Sequence, residues 1–388
     1  MKKLHGCIVG LSGFIGPHHL SAARSIISPR VEIDACVPGT SSNWPEKLAL
    51  AESMGFETDR IYPDLATMLR EEKESSRFVL IATPNKYHAV QSVAAVEAGY
   101  HLICDKPLGR DKDEADRICD AVEHAGAKSC VTATYCGHAA LIQARSMLRS
   151  TPKNPRNLQG GRFLYDQAWL KSKQAEMVAA QGSKQSLWRR DANESGKGGA
   201  AGDTLSHLLF QLHFMTGLKI TGVRASRRFV VEGQKVNNTD DQVTVQVIME
   251  NGALISLEAT QYAGGHQNDN SWELWFEGGT AIGWSIRESE FLWYVADGGH
   301  RQVLTRDNFT SQSLAATRPM PSLHIDGWHD ANARLITSFA WDVLGEIPQG
   351  AQLFHPDVHL ARNINAVIDA IITSADQGPW RFVAVDWK

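Results

Sequence analysis

The apolar run Leu4–Val9 leads straight into Gly10-Leu11-Ser12-Gly13-Phe14-Ile15-Gly16-Pro17, and a helical pattern follows from His18. A strand that turns at once into a helix through glycines spaced G-x-x-G-x-x-G has few structural uses. Each glycine lets backbone pass where a Cβ would collide, and the turn leaves N–H groups bare at the positive end of a helix dipole, where a pyrophosphate binds. The spacing is not the standard G-x-G-x-x-G, and an isolated glycine pattern can be a plain turn. Its place after a first strand marks Gly10, Gly13, Phe14 and Ile15 as dinucleotide contacts.

The segments that follow suit such a start. Val31–Val37, Phe78–Ala82, His101–Cys104 and Ser129–Thr132 read as strands separated by helical patterns, which predicts an α/β unit with a parallel, doubly wound sheet. From about Gly160 the rhythm changes. Arg162–Trp169, Gly222–Val231, Gln242–Met249, Ala253–Tyr262, Trp272–Glu277 and Phe291–Val295 read as strands of a largely antiparallel sheet, several joined by short Gly or Asn turns. A strong helix is expected over Gly202–Thr216, with two more near His329–Gly345 and Asp357–Ser374. At 388 residues the chain can hold two cores. The expected division is a dinucleotide domain over 1–135 and a substrate and oligomerisation domain over 136–388, near the Pro-rich stretch Thr151-Pro152-Lys153-Asn154-Pro155.

A net charge of −4 provides no broad electropositive field, so neither nucleic acid nor an anionic membrane is expected as partner. No run approaches the ~18–20 apolar residues of a membrane span, and Met1-Lys2-Lys3 precedes a strand pattern, which points to a cytoplasmic protein. The six cysteines, at 7, 36, 104, 119, 130 and 136, have no C-x-x-C spacing, so no disulfide framework and no metal site is expected.

Further candidates lie where strands end. The second strand closes on Val37-Pro38-Gly39-Thr40-Ser41-Ser42 without the acidic residue that would grip an adenosine ribose. Ser41 and Ser42 can face that ribose, and Arg30 or Lys47 could fold toward a 2′-phosphate, so NAD(H) and NADP(H) both stay open, with a lean to NAD(H). Thr83-Pro84-Asn85 and His88 follow the third strand, and Asp105-Lys106-Pro107 follows the fourth. Ligands of open α/β sheets bind at that edge, so Thr83, Pro84, Asn85, His88 and Asp105 are cofactor candidates, and Lys106 points a cation into the same cleft. Further on, Gly196-Lys197-Gly198-Gly199-Ala200-Ala201-Gly202 leads into Asp203 and His207, four apart on one helical face, where the carboxylate can orient the imidazole. A helix N-cap, a core histidine or a metal pair short of a ligand are the competing readings of that pair.

In this order, the G-x-x-G-x-x-G turn, Thr83-Pro84-Asn85, Asp105-Lys106-Pro107 and Asp203-x-x-x-His207 resemble the glucose-fructose oxidoreductase and inositol dehydrogenase family, Gfo/Idh/MocA, over essentially the whole chain. The resemblance implies a Rossmann domain and a C-terminal α/β domain. The open sheet of the second would make a homodimer or homotetramer, and hydride would pass at a sugar or cyclitol hydroxyl carbon. Lys106, Asp203 and His207 match the family's catalytic trio: His207 as base, Asp203 orienting it, Lys106 stabilising the alkoxide. Phe14–His19, Ile103–Leu108, Tyr165–Leu170 and Trp188–Asp191 are similar to the branch of levoglucosan dehydrogenase and sugar 3-dehydrogenases, which implies a pyranose, anhydrosugar or cyclitol substrate. Tyr135, Tyr165, Gln167, Trp169, Trp188 and Arg189 are the candidates for its pocket, since sugar faces stack on aromatics and hydroxyls need fixed polar partners. Three departures stand out: Asp105 replaces a common glutamate, Leu205-Ser206 an Ile-Gly pair, and Ala133-Thr134-Tyr135-Cys136 a His-Asn-Tyr segment. The same fold also suits a glycosidase that oxidises and re-reduces its substrate on retained NAD, and a non-catalytic dinucleotide sensor.

Overall fold

A computed structural model describes residues 3–388 apart from 29, 40–42, 73–76, 151–154, 169, 171–187, 190, 231–238, 289–290, 297–298 and 318–325. Strands β1 (Leu4–Val9), β2 (Val31–Val37), β3 (Phe78–Ile81), β4 (His101–Cys104) and β5 (Ser129–Val131) form a parallel sheet in the order β2-β1-β3-β4-β5. The near-continuous apolar runs of β3 and β4 are what strands covered on both faces require. Helices α1 (Gly16–Ala23) and α2 (Lys112–Ala125) belong to its crossovers.

The second sheet holds β6 (Leu158–Asp166), β7 (Ile220–Arg228), β8 (Gln242–Met249), β9 (Leu254–Thr260), β10 (Asp269–Phe276), β11 (Ala281–Ser285), β12 (Phe291–Val295), β13 (Gln302–Thr305) and β14 (Val383–Ala384). Its order is β13-β12-β11-β10-β6-β9-β8-β7-β14, and every pairing is antiparallel except β6 with β9. In β8 the alternation is strict: Val243, Val245, Val247 and Met249 face the core. Helix α3 (Ser206–Thr216) is buried through nearly its whole length and ends on Gly217 in the left-handed region. Helices α4 (Trp328–Leu344) and α5 (Val358–Asp376) run back to the first sheet. There Phe339 meets Phe78 edge-on, at 5.8 Å between ring centroids.

Several boundaries differ from the sequence reading. The strand expected at Arg162 starts at Leu158, where Gly160 and Gly161 dilute the apolar signal, and it ends at Asp166. The strands expected over Gly222–Val231, Ala253–Tyr262 and Trp272–Glu277 run Ile220–Arg228, Leu254–Thr260 and Asp269–Phe276. β11 and β13 carry no strand signal of their own. In β11 the cause is Gly283, whose missing side chain makes room for the Trp293 indole of the neighbouring strand: a Cβ would lie 2.3 Å from it. The helix expected from Gly202 begins as a π turn, Ala201–Leu205, before becoming α-helical at Ser206.

Candidate functional site

The glycine turn is built as tightly as its spacing suggests. Gly10 has φ +94°, and a Cβ there would lie 2.6 Å from the Ala82 carbonyl oxygen; at Gly16 it would lie 2.5 Å from the Gly10 oxygen. The Gly10 and Ser12 N–H groups donate to Val37 and Pro38 at 2.9 and 2.8 Å, so the turn is pinned to the end of β2. Gly13, Phe14 and Ile15 then line a cleft at the carboxyl edge of the sheet, at the start of α1. A backbone cradle that any Cβ would close fits a dinucleotide pyrophosphate. Of the residues expected near the adenosine ribose, Ser41 and Ser42 lie outside the described residues. Arg30 is committed to Glu346. Lys47 stays beside the turn: a Cβ on Gly39 would lie 2.8 Å from its Nζ and 2.9 Å from Ser12 Oγ.

Across the same cleft stand Thr83, Pro84, Asn85, Asp105 and Lys106. The Asn85 amide donates to the Ser195 carbonyl at 2.8 Å and Lys86 pairs with Glu194 at 2.6 Å, so this loop also clasps the second half of the chain. His88, expected at the cofactor, is fully buried beneath it. Its ring nitrogens lie 2.9 and 2.8 Å from the Pro107 and Thr83 carbonyl oxygens and brace the two cleft loops together. Thr132 donates to Asp105 at 2.7 Å. Burial alone would raise the Asp105 carboxyl, but His19, Lys106 and Thr132 outweigh it and keep the group well below the usual carboxylate range. The Lys106-Pro107 peptide is cis.

Lys106 reaches across from the end of β4 to the start of α3. Its Nζ donates to the Asp203 carbonyl at 2.7 Å and to Asp203 Oδ1 at 2.8 Å. The other carboxylate oxygen accepts from Gln261 Nε2 at 2.9 Å, and Arg189 Nε stands 3.8 Å away. Burial pushes the Asp203 carboxyl up, yet Lys106 and Arg189 hold it well below its ordinary pKa, as a carboxylate. His207 lines the cleft one turn further on, with Nδ1 buried and without a partner among the described residues. Burial, reinforced by the Lys106 charge, drives its pKa well below the ordinary histidine value, so the ring is neutral at pH 7. Asp203 makes no hydrogen bond to the imidazole among the described residues, the contact that the spacing suggested. It is taken up by Lys106 and Gln261, from other elements.

Of the substrate candidates, Trp188 and Arg189 line the cleft, with the guanidinium 4.9 Å over the indole. Trp169 lies outside the described residues. Tyr135, Tyr165 and Gln167 are not on the cleft wall but behind His207, where the two tyrosine hydroxyls are 2.8 Å apart. Sequence reasoning missed Gln261, Ser195 and Trp328, all on the wall. Gln261 gave no signal of its own in the sequence, lying inside the run Ala253–Tyr262 read as a strand. It is a buried polar residue just past β9, and the parallel register of β6 and β9, with Asp166 opposite Thr260, carries it to Asp203. Among the described residues no group of three or more His, Cys, Asp or Glu could hold a metal ion.

Comparison with known proteins agrees with this architecture. The chain is 25% identical over 335 residues to the uncharacterized oxidoreductase YfiI of Bacillus subtilis, covering 84% of this chain and 83% of that one. It is 26% identical over 324 residues to levoglucosan dehydrogenase of Pseudarthrobacter phenanthrenivorans, covering 77% and 78%. An inositol dehydrogenase homolog from Azotobacter vinelandii, solved with NAD+, has the same fold, with a TM-score of 0.86 at 23% identity over 99% of this chain and 97% of that one. Residues 4–133 match the oxidoreductase family with an NAD-binding Rossmann fold, and residues 162–282 match the GFO/IDH/MocA C-terminal domain. With the parallel five-stranded sheet and the nine-stranded sheet in place, the chain belongs to the Gfo/Idh/MocA oxidoreductase family.

Proposed function

We propose that this oxidoreductase is a dehydrogenase that moves hydride between a nicotinamide dinucleotide, NAD(H) in preference to NADP(H), and a hydroxyl carbon of a pyranose, anhydrosugar or cyclitol, with C3 the favoured position. The observation that carries the reading is the meeting of Lys106, Asp203 and His207 beside the glycine turn, with Lys106 Nζ 2.8 Å from the Asp203 carboxylate. The similarity to levoglucosan dehydrogenase supports the substrate class. The division at residue 135 and a homodimer or homotetramer belong to the same proposal. Leu254 and Trp275, 45% and 42% exposed on the nine-stranded sheet, suit such an interface.

Gly10, Gly13, Phe14, Ile15, Thr83, Pro84 and Asn85 would hold the dinucleotide, which supplies the hydride acceptor when bound. His207, kept neutral by burial, takes the hydroxyl proton at its cleft-facing nitrogen. Lys106 stabilises the developing alkoxide with its ammonium. Asp203 fixes that ammonium by two contacts, through its carbonyl and its carboxylate, and is itself steadied by Gln261. Trp188 offers an apolar face to the ring and Arg189 a polar edge.

The test is absorbance at the reduced-nicotinamide band with NAD or NADP and a panel of pyranoses, 1,6-anhydrosugars and inositols, on the wild type and on Lys106→Ala and His207→Ala. Reduction by the wild type, with turnover lost and dinucleotide affinity kept in both variants, is expected. Glycoside cleavage without net NADH, with cofactor recovered from denatured protein, would replace this reading with the redox-cycling glycosidase. Absence of any dinucleotide affinity would leave no enzyme reading.

A further inference from the structure

An imidazole base is ordinarily aimed by a hydrogen bond to its second nitrogen. Among the described residues His207 has none: Nδ1 is buried without a partner there, and the nearby carboxylate of Asp203 is engaged by Lys106 and Gln261. What holds the ring is aromatic. Tyr135 meets it edge-on, with centroids 5.0 Å apart and planes at 89°, and Tyr165 lies 5.8 Å away at 52°. The two hydroxyls are joined at 2.8 Å. Tyr165 also accepts from Gln167 and donates to Asn268, each at 3.2 Å, which fixes the pair at its outer end.

Beneath Tyr135 lies a buried polar cluster that the proposed chemistry does not use. The His138 ring is parallel to Tyr135, with planes 13° apart and centroids at 6.2 Å. His138 Nδ1 is 3.2 Å from Asp326 Oδ2, which also accepts the Ala139 N–H at 2.9 Å. Arg334 Nη2 is 2.7 Å from Asp326 Oδ1, and Nη1 donates to the Gly137 carbonyl at 3.2 Å. All three side chains are fully buried. Desolvating the Asp326 and Arg334 charges costs several kcal/mol, which their attraction recovers only in good geometry, so packing alone gives no reason for them. Their effect is positional. They tie the short turn Thr134–Gly137, which carries Tyr135, to the first turns of α4, so closely that a Cβ on Gly137 would lie 1.9 Å from the Ala331 oxygen.

We propose that Tyr135 and Tyr165 form an aromatic clamp that aims His207 into the cleft, and that the buried His138, Asp326 and Arg334 cluster anchors the Tyr135 arm of that clamp. All five are positioning residues, and the inference rests on His207 being the base. The groups facing His207 are Lys106, Asp203 and Asp105 from the cleft and the two tyrosines from behind. Only the tyrosines can be changed without altering its charged neighbours.

The experiment is the pH titration of His207 by NMR in histidine-labelled, cofactor-free protein, with His207→Ala to assign the signal, alongside steady-state kinetics. Removing the second arm, in Tyr165→Leu, admits water. The His207 titration is then expected to move up toward the ordinary histidine value, and kcat to fall about tenfold with KM for the dinucleotide unchanged. His138→Asn keeps a polar group beside Asp326 and is expected to titrate like the wild type; His138→Phe keeps a ring but removes that polar group and is expected to behave like Tyr165→Leu. An unmoved titration and kcat in Tyr165→Leu overturn the clamp. Equal behaviour of the two His138 variants overturns the anchor. Undiminished turnover in His207→Ala overturns the base reading instead and leaves the titration result standing.

Discussion

Both ring nitrogens of His88 face carbonyl oxygens, which can only accept, so the buried ring is best satisfied with two protons. Burial opposes that charge, but Cys104, Asp105 and the Pro107 carbonyl outweigh it and raise the pKa to about 9. A folded-state value above the ordinary 6.5 means that the stabilisation is complete below pH 6.5 and is lost as pH rises through 9. Urea unfolding of the wild type should therefore lose up to about 3 kcal/mol over that window, and His88→Gln should flatten the profile. Gln261→Leu should leave dinucleotide affinity intact and lower kcat roughly tenfold, since Asp203 loses the donor that steadies it. An unchanged kcat in that variant would show that Lys106 alone fixes the carboxylate. The role of His88 was not legible in the sequence: a histidine seven residues past a strand end can face the ligand or lie under it, and its two carbonyl partners come from separate loops.

The element that carries Asp203 and His207 depends on a carboxylate from elsewhere. Asp240 accepts the Ala201 N–H at 3.0 Å at the start of the π turn and is held by Arg227 Nε at 2.8 Å, both side chains buried. Breaking such a buried pair costs about 3–5 kcal/mol, so Arg227→Met should lower unfolding stability by that order and weaken turnover with it. Measured stability within 1 kcal/mol of wild type would mean that Asp240 is satisfied without Arg227. Most elements of the parallel sheet were legible because β3 and all of β4 past His101 are apolar and glycines mark the first turn. β11 was not, since its Gly283 serves a tryptophan on another strand. The π turn was not either. Its widened first turn shows itself only in the fold, where the Asp203 carbonyl accepts from Lys106 and from Ser206 Oγ. The i, i+4 spacing of Asp203 and His207 correctly put both in one site, but it could not say that the carboxylate would turn to Lys106.

At the scale of the molecule, the cleft is closed at one end by contacts between the two halves of the chain. Asn85, Lys86 and Arg110 hold Ser195, Glu194 and Asn193, and Asn85 and Ser195 both stand on the cleft wall. Stopped-flow release of NADH should therefore quicken in Lys86→Ala and at high ionic strength, with the charge-swapped Lys86→Glu, Glu194→Lys pair returning toward wild type. Equal release rates in all three proteins would mean that the clasp is not on the exit path. Among the described residues no helix is long and apolar enough to cross a membrane.

The return of α4 and α5 to the first sheet has a consequence for how the protein is made. Ser28 donates to the Ala333 carbonyl at 2.7 Å, Thr337 to the Ile27 carbonyl at 2.7 Å, and the Val131 N–H to the Pro356 carbonyl at 2.7 Å. The strands of the parallel sheet leave the ribosome before α4 and α5 and therefore lack part of their covering layer until some two hundred further residues have been synthesised, at about 5–20 residues per second. For that interval an apolar sheet face bearing Phe78 waits without Phe339, and it is open to the aggregation that exposed apolar surface invites until α4 and α5 arrive.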